Sequence, residues 1–239
     1  MSRKPRVRLR ALADLVSEAF PDLDPFAAIA RGSILVDGFP ITTPNSLVRA
    51  NASIRAREPH LLRGERKLAA ALQVFAVPVR GRIALDVGAA AGGFTRVLMR
   101  AGARLVYAVD AGHGQLLGSL RQNPLVVNLE RTNLADLNRN VVPDRVDLLT
   151  ADLSYISLAE ALPQLDVVFA PDADLVAVVK PQFELALAAA PRDPRAVVEA
   201  GEHAARGANK AGWTNLRVVR SPVRGAGGAI EVLMHATRA

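Results

Sequence analysis

Short apolar segments alternate with helix-forming segments from residue 83 to the end of the chain, and this alternation constrains the fold more than any other feature. The apolar segments are rich in branched residues and show no polar face, which is typical of strands covered by helices on both sides. They occupy residues 83–87, 105–109, 126–129, 146–149, 175–179, 216–219 and 230–234. The sequence therefore predicts an α/β fold with a Rossmann-like, seven-stranded and mainly parallel sheet.

A smaller α+β unit precedes this region. Its helices are predicted at residues 9–20 and 26–31, and its strands at residues 33–36 and 52–55. Asp37 and Gly38 stand between two apolar segments, which is a strong signal for a two-residue β-hairpin. The unit is too small to bury a large core. Residues 55–60 are interpreted as a linker, so we predict one domain at residues 1–58 and a second at residues 59–239.

Composition and charge narrow the function classes. The chain has no cysteine, which excludes disulfide scaffolds and thiolate chemistry and fits a reducing compartment. Thirty lysines and arginines face 23 acidic residues, and this balance favours a polyanionic partner such as RNA. An arginine-rich composition can also reflect a bias of the whole genome. Since no apolar stretch approaches the roughly 20 residues needed to span a bilayer, we expect a cytoplasmic protein without a membrane partner.

The glycine-rich segment from Asp86 to Thr95 joins the first predicted strand of the sheet to a helix. Glycines let a backbone turn sharply and approach a ligand, and ligands of such sheets bind at the carboxyl ends of the strands. The next strand ends at Asp110, whose carboxylate can accept hydrogen bonds from a ribose diol. The spacing differs from that of dinucleotide and P-loop motifs. It favours a nucleoside-sulfonium cofactor, although tight backbone packing alone would also explain such a turn.

Four charged residues are candidates for the reacting end of this site. Asp152 and Lys180 follow predicted strands, Glu231 lies in the last predicted strand, and Lys67 belongs to a helical stretch at residues 67–74. If the sheet is wound as expected, Asp152 and Lys180 emerge beside the glycine-rich segment. A neutral lysine can accept the proton of a ribose hydroxyl while carboxylates orient the groups, and no metal is required. A single strand-end lysine is more commonly a surface ion pair.

Several ordered motifs carry a family resemblance that covers nearly the whole chain. They are Arg63-Gly64-x-x-Lys67-Leu68, Asp86-Val87-Gly88 to Thr95, Val109-Asp110-x-Gly112-x-Gly114-Gln115-Leu116, Leu129-Glu130-Arg131-Thr132-Asn133, residues 151–158, residues 179–184 and Arg192-Asp193-Pro194. The sequence resembles the TlyA (haemolysin A-like) family, whose catalytic part is FtsJ-like. The resemblance implies a class I methyltransferase sheet, an N-terminal S4-type RNA-binding domain, and methyl transfer from S-adenosylmethionine (SAM) to a ribose 2'-hydroxyl of ribosomal RNA.

The resemblance also assigns residues to roles. It places a catalytic Lys-Asp-Lys-Glu tetrad on Lys67, Asp152, Lys180 and Glu231. It places the cofactor-binding residues at Asp86, Gly88, Ala89, Gly92, Phe94 and Asp110, with Asn133 or Asp136 near the adenine.

The chain departs from the family pattern at several positions. Glu65 replaces a small residue, Leu62 replaces a serine, the loop at residues 185–191 is short, and Ala229-Ile230 precedes Glu231 where a Gly-Asn pair is usual. Between residues 11 and 48 the only basic residue is Arg31, against five acidic residues. An RNA- or ribosome-binding protein with an impaired methyltransferase fold is therefore the alternative. A membrane-active haemolysin is disfavoured because no apolar span is present.

Overall fold

The computed structural model describes residues 8–30, 32–56 and 62–238. The chain divides into two compact units, Met1–Leu61 and Leu62–Ala239. The predicted boundary after residue 58 and most of the predicted linker lie outside the described residues, as does Arg31.

Short strands and two helices form the N-terminal unit. They are β1 (Leu9–Ala11), α1 (Leu12–Ala19), α2 (Pro25–Ala30), β2 (Ile34–Val36), β3 (Phe39–Pro40), β4 (Leu47–Arg49) and β5 (Ile54–Ala56). Strands β1 and β4 pair antiparallel, and a second sheet has the order β3-β2-β5. The expected hairpin is present, because Asp37 and Gly38 both have positive φ, at 51° and 90°, between β2 and β3.

The structure corrects two details of this unit. Residues 9–11 form a strand rather than the first turn of α1, because they pair with β4, a strand that the sequence did not indicate. The strand expected at residues 52–55 runs from Ile54 to Ala56. Leu12, Val16, Ile29 and Ile34 are fully buried and form the centre of this small core.

The C-terminal unit contains a seven-stranded sheet with helices. Its helices are α3 (Arg63–Phe75), α4 (Gly93–Arg100), α5 (Gly118–Arg121), α6 (Leu158–Ala161), α7 (Pro181–Glu184) and α8 (Pro194–Lys210). Its strands are β6 (Ile83–Val87), β7 (Leu105–Asp110), β8 (Val126–Glu130), β9 (Val146–Ala151), β10 (Phe169–Val179), β11 (Trp213–Arg220) and β12 (Val232–Arg238). Their order is β11-β12-β10-β9-β6-β7-β8. The predicted α/β fold is confirmed.

Only β12 runs against its neighbours among these seven strands, since it pairs antiparallel with both β10 and β11. The pairs β10–β9, β9–β6, β6–β7 and β7–β8 are parallel. The carboxyl ends of these five strands therefore lie on the same side of the sheet. Asp110 ends β7 there, Asp152 follows β9 and Lys180 follows β10. Glu231 lies one residue before β12 rather than within the last strand, because the ladder with β10 begins at Val232.

Both faces of the sheet are buried at its central strands, as the strand composition predicted, whereas the edge strands β8 and β11 are partly exposed. Leu148 and Leu149 point to opposite faces and both are 0% exposed. Leu148 packs with Leu68 and Leu98 of α3 and α4, while Leu149 belongs to the core that includes Ala204 of α8. No helix in the described ranges is long and apolar enough to cross a membrane.

Candidate active site

The turn between β6 and α4 is packed too tightly for side chains at two positions. Gly88 has φ +81° and Gly92 has φ +90°. A Cβ on Gly88 would lie 2.9 Å from the carbonyl oxygen of Asp152, and one on Gly92 would lie 2.2 Å from Cδ1 of Leu120. Both positions therefore require glycine. The turn is held between the segment that follows β9 and helix α5.

Asp86 lies beneath this turn and is 0% exposed. Its carboxylate accepts hydrogen bonds from Oγ1 of Thr95 at 2.6 Å and from Oγ1 of Thr150 at 3.0 Å. Burial raises the pKa of Asp86 to about 6, because desolvation outweighs the two hydroxyl donors. In this conformation Asp86 anchors the turn from inside the protein. Ala89 and Phe94, the two predicted cofactor-binding residues with apolar side chains, are also buried.

Asp110 faces the same turn from the end of β7. Its two oxygens accept hydrogen bonds from the backbone N–H of Ala90 at 2.9 Å and of Gly112 at 2.7 Å. A carboxylate oxygen has two acceptor sites, so each oxygen can accept a further donor. The carbonyl of Asp110 also accepts the N–H of Thr132 at 3.1 Å, which brings the end of β8 beside it.

Asn133 and Asp136 form a short helical turn after β8 and are exposed. Asp136 accepts hydrogen bonds from the backbone N–H and from Nδ2 of Asn133, both at 3.2 Å. The two residues thus cap one another on the surface that adjoins Asp110. They remain candidates for the adenine end of the site.

The four charged candidates form one chain of alternating charge. Nζ of Lys67 lies 2.7 Å from Oε2 of Glu231 and 3.3 Å from Oδ2 of Asp152. Nζ of Lys180 lies 2.7 Å from Oδ1 of Asp152. The side chains of Lys67 and Glu231 are 5% and 4% exposed, whereas those of Asp152 and Lys180 are 18% and 13% exposed. Asp152 and Lys180 are therefore the more accessible half of this group of four.

Ser154 and the carbonyl of Asp152 also hold Lys180. Nζ of Lys180 donates to Oγ of Ser154 at 2.5 Å and to the carbonyl oxygen of Asp152 at 3.5 Å. The sequence reasoning missed Ser154, although it stands two residues after Asp152 on the same strand-end loop. A hydroxyl beside a candidate base was the available signal.

Helix α3 brings Lys67 to the site through a close crossing with α4. A Cβ on Gly93 would lie 3.1 Å from Cα of Gly64, so the two helix starts nearly touch. Glu65 pairs with Arg96 at 3.0 Å and Arg100 at 2.6 Å, and it accepts the backbone N–H of Leu62 at 3.0 Å. The acidic residue that departs from the family pattern therefore fastens α3 to α4.

Glu184 joins the two segments that carry Asp152 and Lys180. It is 5% exposed and accepts the backbone N–H of Leu158 at 2.8 Å and that of Ala159 at 3.4 Å, at the start of α6. It also contacts Nδ1 of His203 at 3.0 Å. Because Glu184 lies on α7, directly after Lys180, it fixes α7 against the loop that begins at Asp152.

A cavity of about 330 Å³ opens onto the tetrad. Its lining includes Arg63, Lys67, Asp152, Lys180, Gln182 and Glu231. A second cavity, of about 460 Å³ and mainly apolar, lies between α8 and β11 and is lined by none of the four charged residues. The first cavity is therefore the candidate substrate site.

The C-terminal unit matches a known family. The FtsJ-like methyltransferase family matches residues 62–238. The 16S/23S rRNA (cytidine-2'-O)-methyltransferase TlyA of Mycobacterium tuberculosis is 40% identical over 95% of this chain and 89% of its own length. The chain is an FtsJ-like methyltransferase of the TlyA family. The predicted family membership is confirmed, and the enzyme uses SAM as its cofactor.

Solved structures agree with the fold. A Streptococcus thermophilus protein that carries the name hemolysin has a TM-score of 0.72 and 27% identity, over 98% of this chain and 90% of that one. A SAM-dependent methyltransferase from Mesorhizobium loti has a TM-score of 0.51 and 16% identity, over 71% of this chain and 96% of that one, and shows the fold alone.

The residues present in this TlyA-family chain fit SAM. The positive-φ turn at Gly88 and Gly92 lies next to Asp110, whose oxygens keep acceptor capacity for a ribose diol. The same turn lies against the backbone of Asp152, a member of the tetrad.

Proposed function

We propose that this methyltransferase transfers the methyl group of SAM to a ribose 2'-hydroxyl of structured RNA, with ribosomal RNA as the target. The observation that carries the proposal is the alternating chain Glu231–Lys67–Asp152–Lys180, which borders the candidate cavity. The TlyA relative of Mycobacterium tuberculosis is named for cytidine 2'-O-methylation of ribosomal RNA, and this supports the choice of substrate.

The chain's own residues supply proton transfer and orientation. When bound, SAM supplies a methyl group on a positively charged sulfur. As the ribose oxygen bonds to the methyl carbon, the bond from that carbon to sulfur breaks, its electron pair stays on the sulfur, and the hydroxyl proton passes to a base. We assign Nζ of Lys180, in its uncharged form, as that base because it is the more accessible of the two tetrad lysines. Asp152 and Ser154 fix the position of Nζ. Lys67, held between two carboxylates, keeps Asp152 in place.

The identity of the two cations supports this assignment. The chain contains four lysines among its 30 lysine and arginine residues, and two of the four are Lys67 and Lys180. A guanidinium keeps its proton under all relevant conditions, whereas an ammonium can lose it. Most cationic positions of this chain are arginine, but the two in the tetrad are lysine. Lysine is the residue of the two that can take part in proton transfer.

Cofactor placement completes the proposal. We place the cofactor between the turn at Gly88, Ala89 and Gly92 and the Asp110 carboxylate, with Asn133 and Asp136 near the adenine. Asp86 and Phe94 act from beneath the turn, since both are buried. Each contact is a proposal that a complex with the demethylated product, S-adenosylhomocysteine, would test.

We also propose that residues 1–58 form an S4-like RNA-binding domain, with the catalytic domain at residues 59–239. The helix pair followed by the β2–β3 hairpin supports this interpretation. Two of its acidic residues pair internally, Glu18 with Arg10 at 2.5 Å and Asp37 with Arg49 at 2.9 Å. The acidic centre of the unit is therefore partly neutralised. The proposed role on ribosomal RNA supports a cytoplasmic location.

The test is transfer of tritiated methyl groups from SAM to ribosomal subunits, with the modified nucleotide mapped. Lys180→Ala should lower kcat at least about a hundredfold, the scale of a general base. Lys180→Arg keeps the charge but cannot accept a proton, so it should be equally inactive. Lys210→Ala, at an exposed position of α8, is the matched control. Full activity of Lys180→Arg would refute the assigned base, and methylation of a base rather than a ribose would refute the substrate.

A further inference from the structure

The carboxylate of Glu130, the last residue of β8, holds the loop that follows β7. Its Oε1 accepts the backbone N–H of Gln115 at 2.8 Å and that of Leu116 at 3.2 Å. Its Oε2 accepts Nδ2 of Asn128 at 3.1 Å and lies 2.6 Å from Nη2 of Arg121. The side chain is 10% exposed, so four donors surround a carboxylate largely withdrawn from water. Both oxygens of the carboxylate therefore accept hydrogen bonds from groups of the protein itself.

The loop held by Glu130 is in direct contact with the glycine turn. The N–H of Leu117 donates to the carbonyl oxygen of Ala91 at 3.3 Å. Leu116 is 4% exposed, and its Cδ1 would lie 2.8 Å from a Cβ on Gly92. The same loop begins at Gly112, whose N–H donates to Asp110. Glu130 therefore helps to fix the position of this loop against the glycine turn, on the two sides of the proposed cofactor site.

The electrostatics of Glu130 agree with a permanent role as an anion. Desolvation would raise its pKa, but the hydrogen bonds from Asn128, Leu116 and Gln115 and the charge of Arg121 outweigh it and lower the pKa to about 2. The carboxylate is ionised throughout the neutral range. Hydrogen bonds to an ionised acceptor are the stronger kind.

We propose that Glu130 is a positioning residue for SAM, which fixes the loop at residues 112–117 against the glycine turn. The inference rests on the proposed placement of the cofactor. In the structure Glu130 contacts no member of the tetrad. Its loss should weaken SAM binding and leave the methyl-transfer step and RNA affinity nearly unchanged.

Calorimetric titration of the full chain with SAM, without RNA, tests this. Glu130→Ala should raise the Kd for SAM about tenfold, which corresponds to the loss of a charged hydrogen-bond acceptor. Glu130→Gln keeps one oxygen for the two backbone donors and should recover at least half of that loss on a logarithmic scale. In the transfer assay Glu130→Ala should raise the KM for SAM with kcat within about twofold of wild type.

Asp147→Ala is the matched control. Asp147 also accepts a backbone N–H, that of Ile83 at 2.8 Å, but it lies at the amino end of its strand, away from the carboxyl ends that border the site. An unchanged Kd in Glu130→Ala, or an equal rise in Asp147→Ala, would overturn the inference by showing no role or a merely structural one. Because binding is measured without RNA, either result stands whatever the methylated substrate proves to be. Binding of SAM without transfer to RNA would count against the proposed function alone.

Discussion

The buried carboxyl of Asp86 should make the stability of the catalytic unit depend on pH in an unusual direction. Its pKa is raised from 3.8 to about 6 in the folded protein. Between these values the folded state binds more protons than the unfolded state, so this group's contribution to stability falls as pH rises. The separation of 3.8 and about 6 corresponds to about 3 kcal/mol in total, of which roughly 2 kcal/mol is lost between pH 4 and pH 7.

Asp86→Asn isolates this contribution. Asparagine has nearly the same shape and can still accept from Thr95 or Thr150, but it does not titrate in this range. Relative to wild type, the variant should therefore gain roughly 2 kcal/mol of unfolding free energy on going from pH 4 to pH 7. Carboxylates with lowered pKa values, such as Glu130 and Asp174, have the opposite dependence but cancel in the difference.

Urea unfolding followed by tryptophan fluorescence provides the assay. Trp213 is the only tryptophan in the chain and is 1% exposed in β11, so the signal reports on the catalytic unit. Parallel pH profiles of wild type and Asp86→Asn would refute the reasoning. They would mean that Asp86 is ionised as easily in the folded state as in the unfolded one, despite its burial.

Three further predictions follow from packing and hydrogen bonding. Gly92→Ala should weaken SAM binding at least about tenfold in calorimetry, because its Cβ would overlap Leu120, whereas Gly118→Ala, with open space around it, should bind normally. Glu184→Ala should cost about 2 kcal/mol in urea unfolding, since it strands the amides at the start of α6, while the exposed Glu202→Ala should change stability by less than about 0.5 kcal/mol. Gly207→Ala should cost about 1–3 kcal/mol in the same measurement, because its Cβ would lie 2.4 Å from that of Ala159; an unaltered midpoint would contradict the packing described.

The sequence predicted the catalytic fold well because burial on both faces leaves a clear pattern. The bounds predicted for the first sheet strand, residues 83–87, coincide with β6. Strand β10 is longer than expected, since its first half contains Pro171 and Asp172 at exposed positions that resemble a loop. Strands of three residues, such as β1 and β4, are too short for any periodicity and are specified by their pairing.

The proximity of the four charged candidates was predictable from the sequence, but the residues that support them were not. The family motifs indicated Lys67, Asp152, Lys180 and Glu231, and the structure brings these four side chains together. The contacts of Glu184 and Glu130 depend on loops that fold back across the sheet edge, which no local pattern encodes. The complete burial of Asp86 was not predictable either. The sequence pattern around an aspartate near a strand end is the same whether its carboxylate faces a ligand or two threonines.

The alternation of charge in the tetrad has a consequence for how such an enzyme can change over evolutionary time. When both lysines carry a proton, two cations and two anions cancel, so the group as a whole is neutral although Lys67 and Glu231 are almost completely buried. Losing one member leaves an unmatched charge in a poorly hydrated place, which is costly, whereas replacing a whole pair by apolar residues of similar size is often tolerated. A lineage that abandons methylation should therefore lose these residues in pairs rather than one at a time.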